Sequence, residues 1–171
     1  VTLPLYGAMK YYSIASTLVT TIQDLLTSDV DRACVVPGTI PWDACDCGML
    51  AVSVGSVYLT NDFPEPEGLP YGNCPPVMEG TEIVIQIIRC APSPSAGASS
   101  TIYPSEGAQQ TAAQILASDA YAVLSGTTNL MCQLKGDDAI WDYVVGPVSP
   151  QGPEGGCVGV ELRVAVAMPR G

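Results

Sequence analysis

The chain has 171 residues, of which 47% are hydrophobic and 13% charged, and its six Lys plus Arg stand against seventeen Asp plus Glu with no histidine. A formal net charge of −11 opposes the basic groove that tracks a phosphate backbone, so tight nucleic-acid binding is excluded. The absence of histidine removes Ser-His-Asp and Cys-His nucleophile systems and any imidazole base, so the expectation is a protein that is not an enzyme.

A chain of this length is expected to form one domain over residues 1–171 and to bury roughly 70% of the surface its unfolded form exposes. The N-terminal stretch VTLPLYGAMKYY lacks a charged leader followed by a continuous apolar block, as a signal peptide would have. No stretch reaches the ~20 apolar residues of a membrane span. The expectation is therefore a cytoplasmic chain without a membrane partner. Ile14, Leu18, Ile22, Leu25 and Leu26 recur at helical spacing and predict an amphipathic helix over Ser13–Ser28 with Ser13 as a candidate N-cap. CVVPGTIPW, from Cys34 to Trp42, is cut by Pro37 and Gly38 and reads as an edge strand or extended segment. The run from Cys45 to Leu59 alternates as a strand, with Gly55 marking a bulge.

Two Pro-rich loops, at about 60–80 and 91–104, enclose TEIVIQIIRC (Thr81–Cys90). That run is apolar on both faces and belongs at the centre of a sheet. Loops of such length are usually functional or disordered. Ser105 stands where an N-cap is wanted, and Ala108, Ala112, Ile115, Leu116, Ala120, Val123 and Leu124 form one apolar stripe of a second helix. It is expected to end near Gly126, with a short further helix over Leu130–Leu134. A strand around Trp141–Val148, a turn at QGPEGG and a strand over Cys157–Met168 close the chain. The order predicts an α+β fold: a mostly antiparallel sheet, two main helices on one face, and long Pro-rich loops.

Seven cysteines are many for a cytoplasmic chain, and without a secretory signal they are expected to be reduced thiols serving mainly as small core residues. Cys34, Cys45, Cys47 and Cys74 offer four thiolates to zinc, but paired C-x-x-C knuckles are missing. Asp43, Asp46, Asp137, Asp138 and Asp142 follow no EF-hand loop and read as caps and solvated turns. No metal or cofactor is therefore expected. Ser53 in AVSVG lacks the first glycine of a nucleophile elbow and reads as a strand residue. Charged residues normally make up about 25% of a chain, so the 13% found here implies that part of the apolar surface is covered by a partner. Phe63, Tyr71 and Tyr103 on the two loops are candidate interface anchors, or else fold back on their own domain.

The segments RACVVPGTIPWDACDCGMLAVSV, QQTAAQILASDAYAVLSG and GPEGGCVGVELRVAVAM, taken with the order of elements, resemble the tail terminator (tail completion) proteins of long-tailed bacteriophages, particularly those infecting actinobacteria. The resemblance implies a structural virion protein. Six copies would close as a ring on the tail tube protein at the tail–neck junction after assembly in the host cytoplasm. The ring would join a neck or head-tail connector protein, and DNA would pass through it without specific binding. It implies no catalytic residue. The cysteine content and the length of the loops depart from the family's pattern, leaving another neck component, a head-tail connector or stopper, as the alternative. A zinc-stabilised binding module is the alternative from a different class.

Overall fold

The computed structural model describes residues 9–38, 40, 48–66, 78–93 and 103–169. Two helices, α1 (Lys10–Gln23) and α2 (Glu106–Gly136), accompany six strands: β1 (Arg32–Val36), β2 (Met49–Thr60), β3 (Met78–Cys90), β4 (Asp142–Val145), β5 (Ser149–Glu154) and β6 (Cys157–Pro169). The strands form one sheet in the order β1-β2-β3-β6-β4, with β5 also paired to β6. All pairs are antiparallel except β1 with β2.

The β-branched run that the sequence places at the centre is there. β3 pairs with β6 from Met78 opposite Pro169 to Cys90 opposite Cys157, and with β2 on its other side. Ile83, Ile85 and Ile87 have no exposed surface and face the helices. They pack with Leu50 and Val52 of β2, Leu162 and Val164 of β6, Ile14, Leu18 and Ile22 of α1, and Val123 and Met131 of α2. Burying each of these side chains contributes about 1.5–3 kcal/mol, which makes this layer the principal source of cohesion. The opposite face of β3 is closed too: Val84, Gln86 and Ile88 are buried, and Ile40 packs against Ile88 and Cys157. The one buried amide on that face is satisfied, since Gln86 Nε2 donates to Glu161 Oε2 at 2.9 Å.

Several boundaries differ from the sequence reading, each for a physical reason. Ser13 lies inside α1, not at its cap, and its hydroxyl donates to the Met9 carbonyl at 2.9 Å. The helix starts earlier because Lys10 and Tyr11 are both fastened to Glu79 of β3, and Lys10 Nζ also donates to the Pro169 carbonyl at 3.3 Å. Burial, then the hydrogen bond to Glu79, pushes the Tyr11 phenol well above the ordinary tyrosine range. The QGPEGG turn shrinks to Gly155 and Gly156, with φ of 56° and 77°, the left-handed pair that a two-residue hairpin loop requires. Residues 149–154 are instead strand β5, which bonds only to β6, so Pro150 and Pro153 sit where a missing N–H is tolerated. The bulge expected at Gly55 appears as a register shift between Val54 and Val57.

The two Pro-rich loops fall largely outside the described residues, namely at 67–77 and 94–102. The reduced state expected for the cysteines is corrected at Cys157, which is disulfide-bonded. Cys34 and Cys132 are exposed thiols. Among the described residues no helix is long and apolar enough to cross a membrane.

Candidate assembly interface

The part of this fold that its own core uses least is the N-terminal portion of α2. Its start follows from local chemistry: Ser105 Oγ accepts from the Ala108 N–H at 3.2 Å, and Glu106 lies in the first turn, where a negative charge meets the positive end of the helix dipole. The stop expected at Gly126 is absent, and the separate Leu130–Leu134 helix is simply the continuation of α2. Gly126 is instead the point where the two helices cross. A Cβ there would lie 3.0 Å from Ile22 Cγ1 and 3.3 Å from Leu25 Cδ1, so glycine serves close approach rather than termination. Thr127, Leu130, Met131 and Leu134 then carry the buried stripe to the end.

At 31 residues α2 is about 46 Å long. Its buried residues begin only at Asp119. Residues 106–118 form an overhang without a fully buried side chain: the apolar stripe that continues along them is only half-buried, with Leu116 packed against the edge of the core. Between this overhang and the ends of β3 and β6 lies an open cleft of about 510 Å3, where Ala108, Ala112, Ile115 and Leu116 face Cys90 and Val158.

The opposite side of α2 is also unusual. Gln110, Gln114, Ala117, Tyr121, Leu124 and Thr128 follow one another in alternating steps of four and three, and all are exposed. Tyr121 is 74% exposed and Leu124 44%, which corrects the placement of Leu124 on the core-facing stripe. From Gly107 to Leu134 the only charged residue is Asp119, and it is buried. A solvent-facing helix surface normally carries charge, and this one carries none.

The overhang is held at its root by an ion pair. Arg89, near the end of β3, donates from Nε and Nη2 to the two carboxylate oxygens of Asp119, each at 2.9 Å. The same guanidinium donates to the carbonyls of Asp29 at 2.6 Å and Ser28 at 2.8 Å. β3, α2 and the segment after α1 are thus tied at one charge-assisted, bidentate node.

The aromatic residues singled out from the sequence separate. Phe63 is half-buried within a turn fastened to its own strand: the Tyr58 hydroxyl donates to the Pro64 carbonyl and the Thr60 hydroxyl to the Glu65 carbonyl, both at 2.7 Å. Tyr103 is 75% exposed and precedes the overhang. Tyr71 lies outside the described residues. Tyr121 was not singled out; its place in the uncharged four-three stripe was the available signal. Among the described residues no cluster of three or more Cys, Asp or Glu suited to a metal forms. Of the cysteines weighed for zinc, Cys34 is exposed on β1, while Cys45, Cys47 and Cys74 lie outside the described residues. Asp142 is engaged by Lys135 at 2.7 Å, and that hydrogen bond holds its carboxyl below the usual range.

No protein-family model matches the chain, and no curated protein matches it. The functional reading therefore stands on the geometry of α2 and on the sequence pattern.

Proposed function

We propose that this protein is a structural component of a long-tailed phage virion, a tail terminator. Six copies close as a ring on the end of the tail tube and join it to the neck. Its role is to be a shaped subunit and not a catalyst. The observation that carries this reading is that α2 exposes no charged side chain from Gly107 to Leu134, while the one ionic group at its cleft, Arg89, is neutralised by Asp119. A ring subunit has a neighbour on each side. A chain of net charge −11 meets like neighbours at least electrostatic cost through faces without carboxylates. The resemblance of three long segments to the tail terminator pattern adds the identity of the ring. The acidic balance suits a channel that lets DNA pass without holding it.

The test is to mix the purified protein with tail tubes and examine them by negative-stain electron microscopy and light scattering. Rings seated on tube ends, with tube growth arrested, are the expected result. A folded monomer that ignores tube ends would refute it, and binding to isolated heads but not to tubes would replace the terminator role with that of a connector or stopper.

A further inference from the structure

Building on the ring reading, we infer that copies of this chain meet head to tail, with the Tyr121–Leu124 ridge of one α2 seated in the cleft beneath the α2 overhang of the next. The two surfaces lie on opposite sides of the same helix. Ile115 and Leu116 share the phase of the core-facing stripe, whereas Tyr121 and Leu124 point to solvent. A surface that is not its own complement, paired with a different surface on the next copy, generates a ring when the rotation closes.

Three observations support a second copy as the occupant. The first is volume. About 150 Å3 of apolar space is enough for a benzene-sized ring, so a cleft of about 510 Å3 has room for a tyrosine ring together with a leucine. The second is charge. Arg89, the ionic group at the cleft, already has its counter-charge in Asp119. The ridge carries no charge at all, so two acidic chains can join here without setting carboxylate against carboxylate. A basic partner would be drawn to acidic surfaces and would leave this face unused. The third is that ridge and cleft occur on one chain, and one head-to-tail contact covers both. A second cleft, lined by Tyr12, Val35, Val36, Pro37 and Val54, is smaller at about 390 Å3 and does not continue a core stripe of α2.

The experiment compares wild type with Tyr121→Glu (ridge), Ile115→Glu (cleft) and Tyr121→Phe, using sedimentation over a concentration series. Thermal melts by circular dichroism confirm that each variant is folded. The expected result is that wild type associates and that association strengthens as salt screens the like charges. Each Glu variant should weaken association by about a hundredfold, as loss of a central anchor does, while Tyr121→Phe retains it. Mixing the two Glu variants joins the intact cleft of one to the intact ridge of the other, giving pairs that stop at two.

Association of the Glu variants as strong as that of wild type would overturn the contact and leave the ring reading standing. Sensitivity to Tyr121→Glu alone would overturn it in favour of a two-fold ridge-to-ridge contact. Ridge-dependent binding to tail tubes by an otherwise monomeric wild type would assign the face to the tube subunit and overturn the contact between copies. A wild type that stays monomeric and ignores tubes would end both this inference and the function it rests on.

Discussion

Replacing Asp119 with alanine is the most direct probe of how the overhang is held. Asp119 has no exposed surface, and the Arg89 side chain is 13% exposed. The substitution removes two charge-assisted hydrogen bonds of 2.9 Å. It leaves the guanidinium facing only the Ser28 and Asp29 carbonyls, without a counter-charge. Breaking a buried pair from one side costs about 3–5 kcal/mol because the abandoned charge stays desolvated, a large share of the ~5–15 kcal/mol of a typical domain. Removing both charges together, as Arg89→Met with Asp119→Leu, avoids that penalty, and replacing a whole buried pair by apolar groups is often close to neutral. The double variant is therefore expected to lie within about 2 kcal/mol of wild type, well short of the summed single losses. Urea unfolding followed by both circular dichroism and tryptophan fluorescence measures each corner of the cycle. With a slope near 2 kcal/mol per molar, a 4 kcal/mol loss moves the midpoint by about 2 M. A cost below about 1 kcal/mol for Asp119→Ala, or simple additivity in the double variant, would refute the node as the root of the overhang.

Gly126→Ala sets about 1 kcal/mol of helix propensity against overpacking of ~1–3 kcal/mol where the new Cβ meets Ile22 at 3.0 Å. It should destabilise by about 1 kcal/mol in thermal melts. Gly107→Ala, with nothing within 4 Å, should not destabilise, and a stabilised Gly126→Ala would refute the close approach of the helices. Tyr11 ordinarily titrates at 10.0 but is pushed higher in the folded state by burial and Glu79. Above pH 10.0 the unfolded chain thus holds fewer protons than the folded one, and stability that is fully present below that pH is lost as pH rises. Tyr11→Phe should show a shallower alkaline loss in urea midpoints, and parallel curves for the two proteins would count against the Tyr11–Glu79 contact. Reduction should lower stability by about 2–4 kcal/mol if the disulfide at Cys157 constrains the unfolded chain. Alkylation of denatured, unreduced protein should leave Cys157 unlabelled in a peptide map.

What could be read in the sequence was what local pattern decides. The β3 run announced a central strand because it is apolar on both faces, and β6 announced itself by strict alternation. The start of α2 was legible because Ser105 caps it within three residues. The errors fall where a distant partner decides. Gly126 gives the same local signal whether it ends a helix or admits another one, and the difference is Ile22, more than a hundred residues away in the chain. Pro153, within QGPEGG, reads as part of a turn because nothing local shows that β5 needs bonds on only one side. Leu124 follows Val123, which is fully buried, yet faces solvent. One residue turns a helix by about 100°, and with Ala122 and Val123 both buried the next position falls beyond the edge of the core-facing stripe.

The length of α2 connects these errors to the candidate site. Had the helix stopped at Gly126, its stripe could have been matched to the sheet. Because it runs to Gly136, its C-terminal half supplies Val123, Leu130, Met131 and Leu134 to the core, and the part before Asp119 is left over an open cleft at the ends of β3 and β6. An isolated subunit would gain little from leaving Ala108, Ala112 and Ile115 half-buried along an open cleft, or from withholding charge from the opposite side of the same helix. Both features cost solubility in a lone molecule, and both would acquire a use in the proposed contact between copies. Truncating the overhang from Ser105 to Ser118 should therefore leave a folded protein with a modestly lower thermal midpoint, because the Leu116 contact with the core and the Ser118–Thr27 hydrogen bond are lost, while abolishing association in sedimentation. A truncated protein that unfolds would show that the overhang belongs to the core after all, and one that still assembles would place the contact elsewhere.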